Sequence, residues 1–454
     1  MYGDAEVVVA DHGAVDAHRK VLDDLIAEGT AIYSVTTGYG AEATVAIPLG
    51  ALGRMQENTV RSHAIGVGEQ VPDAVTRGMI LLIASAAAQG PPGLRREVVE
   101  ALVRLLADRV RPVVPAQGSQ SASDLIPAAH LALTLLDETP DRESRHAGAT
   151  RVLPLGPKDG SILNNTAFST ALAIHASREV RLIVDRTEEV AAMTLQALLG
   201  HPEAFDERLV ALRPHPGAIT AAAHLREVLA GSKLVGCSQR PHDPFSVRCL
   251  PQVHGAIRDA LHVVERTLDI ELASVTDNPV VLDNQILSGG NFHGEPLALP
   301  LDALSLAISE LATLSQRRTQ HLVVGDLPGS GTPPKLSTAP AERMGMLMVP
   351  SLAAALVSEC RLRTQPASRE SIPVDVMEDH VSMAALAARQ VLMGVQLARL
   401  VVAAELAAAA QALDFHDITL ASSPTRRLHG QVRDRLAFLD VDRPLDITVL
   451  TDLL

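Results

Sequence analysis

Residues 117–130 read QGSQSASDLIPAAH, and the rest of the chain can be interpreted outward from this run. Ala122 and Ser123 lie at its centre, and Asp124 follows them directly. No glycine comes after Ser123, although glycine would offer the least hindered backbone at that point. The segments on either side therefore have to show what kind of scaffold carries this run.

The composition favours a mostly helical protein. Of the 454 residues, 47% are hydrophobic, yet the chain has no Trp, three Tyr and six Phe. A large core must then consist mainly of Ala, Leu, Val and Ile, which suits closely packed helices better than sheets. We therefore expect a mostly α fold with a large buried core.

Charge and hydropathy exclude several classes of partner. The net charge of −14 argues against a general nucleic-acid surface, and no basic patch indicates a membrane surface. The apolar run at 400–414 contains Glu405 and is too short to span a bilayer. The N-terminus lacks the basic and apolar regions of a secretory signal. These features predict a cytoplasmic protein that binds neither nucleic acid nor membrane.

The chain divides into two regions by its pattern. Residues 1–166 mix short elements with Gly- and Pro-rich loops, and Val7–Ala10 could form a short strand. Residues 167–454 carry long Ala- and Leu-rich segments with helical spacing, typical of a bundle. The predicted helices of both regions cover 14–28, 51–63, 73–88, 94–108, 167–198, 218–232, 251–271, 297–320, 341–363, 380–413 and 425–437.

A loop near the N-terminus concentrates tyrosines. Residues 33–40 read YSVTTGYG, so Tyr33 and Tyr39 flank a short stretch that ends at Gly38. Glycines permit sharp turns that would hold a tyrosine hydroxyl at a fixed point. By its residues alone the loop is either an ordinary turn or the support of a functional hydroxyl.

Several further motifs follow one another along the chain. They are Arg61-Ser62-His63-Ala64, Leu163-Asn164-Asn165-Thr166, Arg213-Pro214-His215-Pro216-Gly217, Asp243-Pro244-Phe245-Ser246-Val247-Arg248-Cys249, Ser288-Gly289-Gly290-Asn291-Phe292-His293-Gly294 and Glu378-Asp379-His380. Together with the runs at 33–40 and 117–130, they resemble the aromatic amino acid ammonia-lyase family, which includes the histidine and phenylalanine ammonia-lyases. The resemblance extends over roughly residues 30–385. It implies that family's helical fold and a homotetramer whose active sites combine loops from three subunits.

The resemblance also implies roles for single residues. It places the catalytic base at Tyr33, a substrate-proximal histidine at His63 and an active-site asparagine at Asn164. It places the substrate-carboxylate arginine at Arg248 and an acid near the substrate amine at Glu378. Taken singly, each of these residues could equally be structural.

Other positions depart from the family pattern. Phe245 stands where the family has a tyrosine, and His242 and Met377 stand where it has glutamines. These three residues and Phe292 are expected to line the substrate pocket.

The family's Ala-Ser-Gly triad cyclises into an electrophilic methylidene-imidazolone (MIO), and here the departure is largest. The ring forms when the backbone nitrogen after the serine attacks the preceding carbonyl, which glycine hinders least. The chain has Ala122-Ser123-Asp124, and the alternative register, Ser121-Ala122-Ser123, has no central serine. We therefore expect a degenerate triad, no MIO and no other cofactor.

These observations lead to a functional hypothesis with two alternatives. The first is a MIO-independent lyase that performs elimination, or the reverse addition within a biosynthetic pathway, at the Cα–Cβ bond of an amino-acid-like carboxylate. Tyr33 would act as base, and Glu378 or His242 would assist the leaving group. The alternatives are an ammonia-lyase or aminomutase with an atypical MIO, and a catalytically silent homologue that acts as a binding or structural subunit.

Overall fold

A computed structural model describes residues 6–138, 153–325, 327–369, 372 and 377–454. Residues 1–5 and 139–152 of the predicted N-terminal region lie outside this description, as does most of 370–376 in the predicted loop before the last long helix. The described chain is mostly helical, which confirms the predicted fold class.

The first part of the chain combines medium-length helices with one short pair of antiparallel strands. The helices are α1 (Gly13–Ala27), α2 (Leu52–His63), α3 (Asp73–Ala88), α4 (Arg96–Ala107) and α5 (Leu125–Leu133). Strand β1 (Val67–Gln70) pairs antiparallel with β2 (Pro115–Gln117). Two loop segments that are distant in sequence thus pair, while the helices supply most of the buried surface.

Long helices dominate the rest of the chain, as their apolar spacing predicts. This part contains the helices α6 (Ala167–Ala197), α7 (Glu207–Ala211), α8 (Pro216–Leu229), α9 (Phe245–Arg248), α10 (Leu250–Glu271), α11 (Glu295–Val324), α12 (Val349–Arg363), α13 (Ala384–Leu413) and α14 (Ser423–Arg433), of which α7 and α9 are short. Strands β3 (Val280–Leu282) and β4 (Gln285–Leu287) form a second antiparallel pair.

The predicted strand at Val7–Ala10 is wrong. This segment has no regular structure, and Val8 is 68% exposed. A β-prone run becomes a strand only when a neighbouring strand accepts its backbone hydrogen bonds. Among the described residues, the paired strands are β1 with β2 and β3 with β4, and neither pair includes this segment.

Backbone contacts group the chain into two compact units. The first unit comprises residues 1–175, 264–301 and 367–389, and the second comprises 176–263, 302–366 and 390–454. Both units are therefore discontinuous in sequence. The predicted division at 166/167 stays a prediction.

Helices α8 and α10 of the second unit approach closely at two glycines. A Cβ atom on Gly217 would lie 2.1 Å from the carbonyl oxygen of Gly255, and one on Gly255 would lie 2.4 Å from the backbone nitrogen of Ala218. Both distances are far below van der Waals contact, so a side chain at either position would force the helices apart.

Helix α13 shows why alanine dominates the composition. Residues 401–413 of this helix are all buried, and small side chains allow such close packing. By length and composition, α11 and α13 could each cross a membrane, with 56% and 67% of their apolar windows buried. The expectation that the apolar run at 400–414 is too short was wrong, since α13 has 30 residues. Buried core helices pass the same test, so the predicted cytoplasmic location remains a prediction.

A buried carboxylate links three helices of the second unit. Glu188 on α6 accepts hydrogen bonds from His224 Nδ1 at 2.6 Å and from Arg258 Nε and Nη2 at 3.0 and 2.7 Å. Burial alone would raise the pKa of Glu188, but the hydrogen bonds from His224 and Arg258, together with the nearby His254, outweigh it and hold that pKa well below its usual range. The bond to Glu188 in turn raises the pKa of His224.

The charged His224 should therefore stabilise the fold in a pH-dependent way. Because its pKa is raised on folding, its contribution is fully present below the unfolded value of about 6.5 and is lost as pH rises through the folded value. We expect His224→Gln to lower the free energy of unfolding by about 1–2 kcal/mol at acidic pH and by less at alkaline pH. Urea unfolding at several pH values measures this difference. His262→Gln, at an exposed position of α10, is the control, and an equal loss for His224→Gln at every pH would contradict the assignment.

Candidate active site

A cavity of about 430 Å³ lies in the first unit, large enough for an amino acid. Segments far apart in sequence meet there. Its lining residues include Tyr33, Tyr39, Gln56, Thr59, His63, Ala122, Ser123, Lys158, Ser161, Asn164, Asn278, Phe292, His293, Met377, Glu378, Asp379 and His380. The cavity therefore gathers most of the residues that the motifs singled out.

Hydrogen bonds near the tyrosine loop and from helix α2 hold the loop in place. Thr36 Oγ1 accepts from the backbone N–H of Ile32 at 2.7 Å and donates to the carbonyl oxygen of Thr30 at 2.8 Å. Gln56, buried on α2, donates from Nε2 to the carbonyl oxygen of Ser34 at 2.9 Å. The same side chain accepts from the N–H of Gly160 at 2.8 Å. Gln56 therefore ties the tyrosine loop to the segment that precedes Asn164.

The two tyrosines of this loop have different surroundings. The Tyr33 hydroxyl accepts from the backbone N–H of Gly40 at 3.3 Å, which fixes its position beside the cavity. The rings of Tyr33 and Tyr39 meet edge to face, with centroids 6.2 Å apart. Burial raises the pKa of Tyr39, although a hydrogen bond from Thr59 opposes the rise. The raised pKa disfavours Tyr39 as a base, and the family resemblance places the candidate base at Tyr33.

His63 closes helix α2 and reaches the cavity in a defined tautomer. Its Nδ1 lies 2.8 Å from the carbonyl oxygen of Thr59. A carbonyl oxygen can only accept, so Nδ1 carries the proton and Nε2 is left as an acceptor. The position at a helix end follows from the local sequence, since Gly66 and Gly68 come soon after. His63 can therefore accept a hydrogen bond from a bound molecule.

Asn164 lies beside a buried ion pair. Its Nδ2 donates to the carbonyl oxygen of Asn278 at 2.6 Å, which orients the side-chain amide. Lys158 is 1% exposed, and its Nζ donates to Asp277 Oδ2 at 2.9 Å. Burial lowers the pKa of Lys158 and raises that of Asp277, against their mutual attraction. This pair neutralises the charge of the lysine at the cavity wall.

The backbone of residues 121–123 is strained and tightly bonded. Ser121 and Ser123 have φ angles of +59° and +75°. Non-glycine residues rarely adopt such angles, because each costs about 1–3 kcal/mol. The Ser121 carbonyl oxygen accepts from the N–H of Gly294 and from Ser382 Oγ, both at 2.9 Å. The Ser123 N–H donates to the carbonyl oxygen of Phe292 at 2.9 Å. These bonds hold Ala122 and Ser123 at the cavity wall.

Asp124 does not line the cavity, contrary to its grouping with Ala122 and Ser123. It is fully buried at the start of α5, where its carboxylate accepts from Ser119 Oγ at 2.6 Å and from Ser169 Oγ and N–H at 2.8 and 2.7 Å. Burial raises the pKa of Asp124, against these bonds. The carboxylate turns inward because the N–H and hydroxyl donors lie there.

The last part of the lining comes from residues 377–380. Glu378 and Met377 are exposed, and Glu378 also lines a neighbouring cavity of about 280 Å³ with His63 and Ser123. Phe292 contributes from the segment before α11. The structure therefore brings together Tyr33, His63, Asn164, Phe292, Met377 and Glu378, although their roles stay predictions.

Three predicted site residues belong to the second unit and do not line this cavity. They are His242, Phe245 and Arg248. The guanidinium of Arg248 lies 4.8 Å from the centroid of the Phe245 ring, and Phe245 is 69% exposed. The Nε atom of Arg248 has no hydrogen-bond partner among the described residues. An aromatic ring is therefore presented at the surface of the second unit, with the partly buried guanidinium of Arg248 beside it.

The motifs did not assign roles to several lining residues. His293 and His380 lie within quoted motifs, whereas Lys158 and Asn278 lie in the segments between them. Their residue types and their positions made them candidates for a functional site, but only the fold shows that they line one cavity. His293 and His380 in particular lie in contact, with Nε2 and Nδ1 3.0 Å apart.

Comparison with known proteins agrees with these motifs. A family model described as aromatic amino acid lyase matches residues 3–434. The histidine ammonia-lyase of Caldanaerobacter subterraneus subsp. tengcongensis is 37% identical over 447 residues, which cover 95% of this chain and 88% of that protein.

Solved structures show the same fold. Histidine ammonia-lyase from Trypanosoma cruzi superposes with a TM-score of 0.85 at 32% identity, covering 97% of this chain and 86% of that one. Ergothionase from Treponema denticola superposes with a TM-score of 0.95 at 24% identity, covering 99% of this chain and 94% of that one. At 24% identity, the similarity to ergothionase shows only that the two proteins share a fold.

These relatives overturn the expectation that the chain uses no cofactor. Histidine ammonia-lyases normally carry MIO, and proteins of that name match this chain over nearly its whole length. Ala122 and Ser123 fit the first two positions of the triad and line the cavity. Asp124 does not fit the third, since its backbone nitrogen, which would close the ring, donates to the carbonyl oxygen of Asn165 at 2.7 Å. The side chains of the cavity are therefore the groups that this chain itself supplies for the chemistry.

Proposed function

The chain belongs to the aromatic amino acid lyase family, and on that basis we propose that it eliminates ammonia from an α-amino acid with an aromatic side chain, histidine first among them. The observation that carries the proposal is the cavity in which Tyr33, His63, Asn164 and Glu378 meet. The family match and the names of the relatives support the choice of substrate class.

The side chains of the cavity can divide the elimination between them. The Tyr33 phenolate takes the proton from the substrate's Cβ, and that C–H electron pair forms the Cα–Cβ double bond. The Cα–N bond breaks with its electrons on nitrogen, so the substrate's ammonium leaves as neutral ammonia. Glu378 pairs with the ammonium before it leaves. Asn164 and His63 offer a donor and an acceptor that orient the substrate.

The substrate's carboxylate needs a cation, and no arginine is among the described residues that line the cavity. Lys158 is the lysine of the described lining, and Asp277 already pairs with it. We infer that Arg248 of another copy of the chain binds the carboxylate, as the family resemblance implies for a homotetramer with shared sites. The partly exposed side chain of Arg248 and the exposed Phe245 beside it support this inference. A guanidinium binds carboxylates through two parallel hydrogen bonds.

A direct assay tests the proposed function. Purified protein is incubated with L-histidine, L-tyrosine or L-phenylalanine, and the rise in ultraviolet absorbance of the conjugated product is followed together with the release of ammonia. We expect both signals in equal amounts, and the fastest turnover with L-histidine.

A substrate analogue provides the matched control. Histamine has the same ring and amine as histidine but lacks the carboxylate, so it should give neither signal. If a folded, oligomeric preparation releases ammonia from none of the three amino acids, the proposed function is wrong.

A further inference from the structure

We propose that His293, Glu295 and His380 form a binding site for a divalent transition-metal ion, such as Zn²⁺ or Co²⁺, at the wall of the cavity. The inference does not depend on the proposed reaction, because it rests on the arrangement of these three side chains alone. Glu295 is the first residue of α11, His293 lies two residues before it, and His380 lies in the segment before α13.

The ligand atoms already lie near the spacing that one ion requires. His293 Nε2 and His380 Nδ1 are 3.0 Å apart, and one ligand atom from each of the three residues lies within 4.8 Å of the others. In a tetrahedral zinc site with Zn–N distances of about 2.0–2.1 Å, two ligating nitrogens are about 3.3 Å apart. An ion therefore requires only a small separation of the two rings, which are stacked at an interplanar angle of 29°.

The ligand types select the class of metal. Imidazole nitrogens suit Zn²⁺, Co²⁺, Ni²⁺ and Cu²⁺, whereas Mg²⁺ and Ca²⁺ prefer oxygen ligands. Two histidines and one carboxylate are a set that leaves a fourth position open in tetrahedral zinc sites. Since His293 and His380 both line the cavity, an open position could take water or an anionic or imidazole group of a bound molecule.

Backbone hydrogen bonds hold both histidine segments against residues 120–121. The N–H of Gly294 donates to the carbonyl oxygen of Ser121, and the N–H of Met383 donates to that of Gln120, both at 2.9 Å. The two histidines are thus placed together before any ion binds. A metal ion would replace the proton now shared between the rings. His293 would then carry its proton on Nδ1 and lose the 3.3 Å contact from the N–H of Glu295.

A second cluster of possible metal ligands among the described residues has no free space for an ion. Asp185, Glu188 and His224 also place their ligand atoms within 4.8 Å of one another. There, Arg258 Nη2 already donates to Asp185 at 2.6 Å and to Glu188 at 2.7 Å. An ion would have to displace a guanidinium, so we assign the metal site to the histidine pair.

Titration with cobalt tests the site. Metal-free protein is titrated with Co²⁺, followed by the visible absorption bands of low-coordinate Co²⁺ and by equilibrium dialysis. We expect one bound ion per chain, and we expect Zn²⁺ to displace it. Loss of an outer-shell partner typically weakens metal binding by roughly 10- to 100-fold. His293→Ala and His380→Ala each remove a direct ligand, so each should weaken Co²⁺ binding by at least that factor. Glu295→Gln should weaken it by a smaller factor.

Two controls keep the result specific. His262→Ala, at an exposed position of α10, should bind Co²⁺ like the unchanged protein, and circular dichroism checks that every variant is folded. Absence of Co²⁺ binding by the unchanged protein at millimolar concentration would overturn the proposal. So would unchanged binding in folded His293→Ala and His380→Ala, or loss of binding in His224→Ala instead.

Discussion

Replacing Tyr33 by phenylalanine is expected to lower kcat by about 10²- to 10⁴-fold, the range that a positioned general base contributes. The change removes only a hydroxyl that sits at the cavity wall, where the N–H of Gly40 holds it. The ring and its edge-to-face contact with Tyr39 remain, so KM should change little. Steady-state kinetics with the best amino acid substrate give both constants.

Tyr39→Phe is the matched control for this prediction. It removes a hydroxyl from the same loop and the same cavity, but burial raises the pKa of Tyr39, which makes it a poor base. We expect a loss of less than about tenfold in kcat, below the range for a general base. If Tyr33→Phe retains its kcat, or if both variants lose the same large factor, Tyr33 is not the base.

Glu405→Gln is expected to lower the free energy of unfolding by about 3–5 kcal/mol, the cost of breaking a buried ion pair by removal of one partner. Arg318 and Glu405 are both 0% exposed, and Arg318 donates from Nε and Nη2 to the two carboxylate oxygens at 2.6 and 2.7 Å. Thr194 Oγ1 donates to the same carboxylate at 2.7 Å. The substitution keeps the shape of the side chain but leaves the guanidinium buried beside a neutral amide. The midpoint of urea unfolding measures the loss.

Two further variants separate the buried charge from the packing. In the double variant Arg318→Met and Glu405→Leu no charge remains, so much of the stability should return, because apolar replacements of buried ion pairs are often neutral or stabilising. Glu189→Gln removes the partner of Arg186 in an exposed pair and should cost less than about 1 kcal/mol. A loss as small for Glu405→Gln as for Glu189→Gln would show that the buried pair contributes little.

Much of the fold could be predicted because helices are local. The apolar spacing placed helices such as α3 and α10 within a residue or two of their observed ends. The strands were not predictable in the same way. Val7–Ala10 has the residues of a strand but no partner, whereas Pro115–Gln117 pairs with Val67–Gln70 despite a weak strand pattern. Strand formation depends on a partner distant in sequence, which local propensity does not report.

The candidate site was predictable in its members more than in its geometry. The motifs named Tyr33, His63, Asn164 and Glu378, and the structure brings these residues to one cavity. They did not reveal that the carboxylate of Asp124 faces inward to Ser119 and Ser169. The inference of a missing cofactor, drawn from the residue type at this position, was overturned by the relatives of the whole chain.

The amino-acid sequence by itself determined the helical class, the order of the motifs and the family, since these depend on residue type and on spacing along one chain. Only the tertiary structure decided which side chains meet. It paired Arg318 with Glu405, placed His293 against His380, and turned Asp124 in the run at 117–130 away from the cavity. The physical reason is that a buried polar group must find its partner in three dimensions, and that partner lies wherever helix packing brings a donor or an acceptor.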